Sequence, residues 1–120
     1  MMKGSFTFKV CLGRRRLSLT RYVITQLGNP THLSFWYDET NAQLIISPAE
    51  HDDLDAYEIQ QCYWVNGTKH SCEIARIALL KALQYRLGWQ EGTYFFEGTL
   101  TEVGDVPAAV FDLNDGKRVR

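Results

Sequence analysis

A chain of 120 residues makes one ordinary domain or two very small ones. Its 45% hydrophobic and 12% aromatic content is enough to fill a core and excludes a largely disordered chain. A net charge of −1 argues against a strong nonspecific grip on nucleic acid, and no apolar run approaches the roughly 20 residues of a membrane helix.

Lys3 has no long apolar stretch behind it, so no signal peptide is expected, and no membrane partner. Cys11, Cys62 and Cys72 are an odd count without CxxC spacing, which reads as reduced thiols in a cytoplasmic protein. The distribution of charge says more than its sum. Residues 1–37 carry Lys3, Lys9, Arg14, Arg15, Arg16 and Arg21 and no acid. Residues 38–58 carry seven acids and no base, and the remainder balances at seven of each.

In chain order, Phe6, Phe8 and Val10 alternate with Thr7, Lys9 and Cys11, the two-residue period of a half-buried strand. Leu12-Gly13-Arg14-Arg15 makes a turn, and Arg16 to Thr20 returns antiparallel with Leu17 and Leu19 on one face. Thr20 stands in N-cap position for a helix carrying Val23, Ile24 and Leu27, stopped by Gly28 with Pro30 beyond it. Strands follow at Leu33 to Tyr37 and Leu44 to Ile46 around a polar turn at Asp38 to Gln43, closed by Pro48. Ala49 to Tyr57 reads as a solvated acidic connector. His51, Asp52, Asp53 and Asp55 have metal-ligand chemistry, but nothing fixes a distant further ligand, so no metal or other cofactor is expected.

Beyond Glu58, two strand patterns, Ile59 to Val65 and Lys69 to Ala75, flank the hairpin dipeptide Asn66-Gly67. Ile77 to Leu87 predicts a helix with Ile77, Leu80, Ala82, Leu83 and Leu87 as its apolar stripe, ended by Gly88. Thr93 to Thr101 and Ala108 to Leu113 read as strands about Gly104-Asp105, and Asn114 to Arg120 as a polar, frayed tail.

The second half answers the first. LSLTRYVITQLG (17–28) corresponds to CEIARIALLKALQYRLG (72–88), LSFWYD to TYFFEG, and QLIISP to AAVFDL. An order of strand, strand, helix, strand, strand seen twice predicts a mainly β fold with two short helices, built from tandem ββαββ units. Each half, at about fifty residues, buries too little surface to stand alone. The expected organisation is one domain with halves at 6–48 and 58–113, a linker at 49–57 and a tail at 114–120. Hairpins of one half should pair with strands of the other.

Leu12-Gly13-Arg14, the run LSLTRYVITQLG and the strand pair ending in IISP resemble the AbrB/SpoVT/MazE group of swapped-hairpin β-barrels. Two copies in one chain are similar to the MraZ arrangement, although its Asp-x-x-x-Arg signature is absent. Thr20 stands where those domains usually have proline, and Thr31-His32 where they usually have Gly-Asp. The resemblance implies one interleaved barrel whose arginine-bearing hairpin grips double-stranded DNA, as in transcription regulators. A homodimer, offering two such hairpins, belongs to the same expectation.

The residues point the same way. Arg14, Arg15 and Arg16 on a hairpin tip could contact phosphates and read guanine edges, and a two-stranded ribbon fits the major groove. Lys9 and Arg21 extend the patch along the chain, and Lys69 is the counterpart in the second hairpin. The competing expectation, from the low net charge and the poor second hairpin, is a protein-interaction module of antitoxin-like type. It would use outward aromatics from Phe35-Trp36-Tyr37 and Tyr94-Phe95-Phe96, or the acidic segment, against a protein partner. No nucleophile stands at recognisable spacing from His32, His51 or His70, so an enzyme is not expected.

Overall fold

Alternation in the first strands is realised as a hairpin that buries one face. A computed structural model of the chain describes residues 6–13, 15–50, 56–59, 71–74, 76–114 and 116–119. Strands β1 (Thr7–Cys11) and β2 (Arg16–Thr20) pair with Phe8 opposite Leu19 and Val10 opposite Leu17, and all four side chains are buried. Helix α1 (Arg21–Gln26) follows, then β3 (His32–Asp38), β4 (Gln43–Pro48), the two-residue β5 (Tyr57–Glu58) and β6 (Ser71–Ile74). Helix α2 (Ile77–Leu87) precedes β7 (Thr93–Val103), β8 (Val106–Asp112) and β9 (Lys117–Val119).

The protein is mainly β, and its strands form one antiparallel sheet in the order β5-β3-β4-β8-β7-β1-β2-β6, with β9 alongside β7. Laid flat, such a row would be about 40 Å wide and about 10 Å thick. The molecule measures 33 × 32 × 29 Å, so the sheet curls into an open half-barrel around its core. The long strand β7 belongs to both walls. Thr93 to Glu97 pair with β1, and Gly98 to Val103 pair with β8. A side chain at Gly98 would run into the Phe111 ring and the Val110 carbonyl, so the strand changes partner at a residue that has none.

Inside, Phe8 lies between Phe96 and Phe111 with ring centroids 6.0 and 5.6 Å away, and Phe6 stacks on Phe111 at 5.7 Å. Leu33, Leu44 and Ile46 from before the acidic stretch share this core with Ile74, Leu80 and Leu83 from after it. The aromatic triplets split by alternation. Phe35 and Tyr37 pack on the core while Trp36 points out; Tyr94 and Phe96 turn in while Phe95 is part-exposed.

Several local expectations are corrected. Thr20 does occupy the N-cap of α1, but its hydroxyl makes no cap bond and instead accepts the Thr7 N–H across the hairpin at 3.3 Å. On α2 the buried residues are Leu80 and Leu83, flanked by Leu79 and Leu87, whereas Ala82 is exposed and Ile77 is 45% exposed. At 100° per residue Ala82 lies on the far side of the helix from Leu80. Tyr57, placed at the end of the connector, is already in β5 opposite Leu33. The tail read as frayed contains β9, which covers the edge of β7 that β8 leaves bare. From Phe111 opposite Gly98 to Lys117 opposite Phe95, the pairing with β7 shifts by three residues. The Asn66-Gly67 hairpin and His51 to Asp55 lie outside the described residues.

Candidate nucleic-acid interface

The tip of the first hairpin is a four-residue loop, Leu12 to Arg15, closed by the Arg15 N–H donating to the Leu12 carbonyl at 3.2 Å. Arg15 is exposed and has φ +54°, the left-handed conformation that turns usually assign to glycine. A left-handed L-residue costs about 1–2 kcal/mol, so the tip carries an arginine in spite of its backbone. Leu12 anchors the loop from below, its side chain buried and its N–H donating to the Gly92 carbonyl at 3.1 Å.

Arg16, also exposed, begins β2 opposite Cys11, so both tip arginines sit at one end of the ribbon. Lys9 is half-buried two residues back along β1, on the outward face opposite Ser18. Arg21 is not part of this cluster. It opens α1 beyond the other end of β2, about 15 Å away along an extended strand. Arg14 and Lys69 lie outside the described residues.

Two cations come into the neighbourhood that sequence spacing did not nominate. Lys81 of α2 faces the tip across a cleft of about 300 Å³, which Gly13, Arg15, Gln84 and Glu91 also line. Lys117 arrives with β9, directly opposite Phe95, which is itself opposite Lys9. The Asp115-Gly116 turn dipeptide ahead of Lys117 was the one available signal for that strand. Gly116 passes over the Phe96 ring so closely that a side chain would collide with it.

The other wall has a different chemistry. Trp36 is 71% exposed and, with Ile45, Ala108, Val103 and Val106, lines an apolar groove of about 700 Å³. Asp38 stands at its margin, and Asp105 at the tip of the β7–β8 hairpin between Val103 and Val106. The Asn41 side-chain amide, donating to Asp38 at 2.8 Å, holds that carboxyl below the ordinary carboxylate range against slight desolvation. Glu39 of the same turn ion-pairs with Arg86 of α2, both half-exposed.

Among the described residues no three His, Cys, Asp or Glu side chains gather as a metal site, and no helix is long and apolar enough to cross a membrane. Cys11 is half-buried, its sulfur accepting a long hydrogen bond from the Thr93 hydroxyl at 3.6 Å. The arrangement offers a cationic ribbon end and an apolar groove on different walls of the sheet. No protein-family model matches the chain, and no curated protein or solved structure matches it.

Proposed function

We propose that the chain is a DNA-binding, transcription-regulator-like protein of AbrB/SpoVT/MazE type that grips a duplex with its first hairpin. The observation that carries this reading is the ribbon end, where Arg15 is exposed in a left-handed conformation beside exposed Arg16. A two-stranded ribbon is narrow enough for the major groove, and arginine contacts both phosphates and guanine edges.

The pairing pattern supports the tandem, hairpin-exchanging organisation that the resemblance implies. β2 pairs with β6 and β4 with β8, each joining a strand of the first half to its counterpart in the second. The β1–β7 pair has a matching β3–β5 pair. Past those pairs the Leu12 N–H donates to Gly92 at 3.1 Å, and the Ile59 N–H donates to Thr31 at 2.8 Å. One chain would then hold what two AbrB-like copies hold between them, and a homodimer would supply a second ribbon.

Fluorescence polarisation on mixed duplex DNA at low and moderate salt tests the reading. Changing Arg14, Arg15 and Arg16 together to Ala should abolish salt-sensitive binding, with each lost phosphate contact flattening the log–log salt slope by about 0.9. Wild-type protein that ignores duplex DNA at low salt would defeat it.

A second reading, protein interaction, is favoured by the Trp36 groove. Its apolar centre and ionised Asp38 suit a basic partner surface with an apolar anchor. Binding there would respond weakly to salt and be lost in Trp36→Ala.

A further inference from the structure

Phe95 stands on the outward face of β7 directly between Lys9 of β1 and Lys117 of β9. Opposed residues on neighbouring antiparallel strands hold their Cβ atoms about 4.5–5.5 Å apart, so a lysine side chain springs from the strand on either side of Phe95. The ring is 37% exposed, whereas its neighbours Tyr94 and Phe96 serve the core. Two residues along β7 on the same face is Glu97, with Thr7 opposite it. Thr7, Phe95, Glu97 and Lys117 line a concavity of about 330 Å³, ample for a nucleobase.

Each of these side chains answers one part of a nucleotide. An aromatic ring on a sheet face stacks an unpaired base, which a base held inside a duplex cannot offer. An ionised carboxylate only accepts hydrogen bonds, so it selects a base edge rich in donors, such as the exocyclic amine of cytosine. Flanking lysines neutralise the phosphates on either side. Arg16 lies one row further along the same outward face, in line with a strand running from the platform toward the ribbon end.

We propose that this face binds a single-stranded nucleic-acid segment, with one amino-bearing base stacked on Phe95 and held by Glu97, and its phosphates on Lys9 and Lys117. The site is separate from the duplex-gripping ribbon end and does not depend on that reading.

Polarisation of labelled oligo-dC, oligo-dT and duplex probes at low salt tests it, each variant first being checked for an unchanged melting temperature. Phe95→Ala should weaken oligo-dC binding about tenfold or more, while Phe95→Trp keeps it. Glu97→Gln should narrow the preference for oligo-dC over oligo-dT. Lys9→Ala with Lys117→Ala should flatten the salt slope by about 1.4. Single-strand binding that is equal in wild type and Phe95→Ala overturns the proposal, as does no single-strand binding at all. Single-strand binding that is lost in the Arg15 and Arg16 variants but kept in Phe95→Ala would overturn it too, while leaving the ribbon reading standing.

Discussion

The wall made by β2, β1, β7 and β9 and the wall made by β3, β4, β8 and the end of β7 share one core, and part company on their outward faces. The first presents Arg16, Lys9, Phe95 and Lys117. The second presents Trp36, Ile45, Val103 and Val106 around an apolar groove, with acid at its margin. Strand β7 runs through both, and the change falls at Gly98. The inward residues of a sheet are held by packing, which leaves the outward residues free to differ from wall to wall. On the two readings proposed above, one wall of the half-barrel would meet a polyanion and the other an apolar surface.

The sharpest way to break this comparison is at the strand they share. Gly98→Ala sets a methyl group against Phe111 and the Val110 carbonyl, and should cost about 2–3 kcal/mol in urea denaturation, disturbing both walls at once. Gly116→Ala should cost about 1 kcal/mol. It presses on the Phe96 ring and pushes β9 away, so Lys117 leaves Phe95 and only the cationic wall suffers. Arg15→Gly should move the other way, stabilising the chain by about 1 kcal/mol because glycine accepts the left-handed turn, while duplex binding weakens. Stability and binding changing in opposite directions would separate the ribbon end's function from its folding.

Trp36→Lys should leave thermal stability within about 0.5 kcal/mol, since the side chain is 71% exposed. A larger loss would mean that the groove contributes to the fold and not only to its surface. The smallest effect concerns Asp38. With its folded pKa held down by Asn41, the carboxylate contributes stability above its unfolded value, and that contribution is lost as the pH falls through the folded pKa. In Asn41→Ala the Asp38 titration followed by NMR should shift up toward the ordinary carboxylate value.

Much of this surface was legible before the structure, and the exceptions have a common cause. The run Leu12-Gly13-Arg14-Arg15 announced a turn because apolar alternation stops on one side of it and restarts on the other. That Trp36 and Phe95 point outward also follows from alternation once Leu33 and Phe96 face the core. What stands beside them did not follow. Lys117 is 22 residues from Phe95 and reaches it only because β9 pairs with β7 in a register shifted by three residues from that of β8. Arg21 seemed to extend the basic cluster because it is five residues from Arg16, yet an extended strand carries those five residues to the far end of the ribbon.

The sequence by itself determined the local periods, the turns, the helix over Ile77 to Leu87 and the identity of most core residues, because each rests on neighbours a few positions away. Only the tertiary structure decided which outward residues become companions, the change of partner along β7, and the joining of β9 to the sheet. Strand register is a long-range choice. It is set by how Phe8, Phe96 and Phe111 pack, and no local pattern along the chain carries that information.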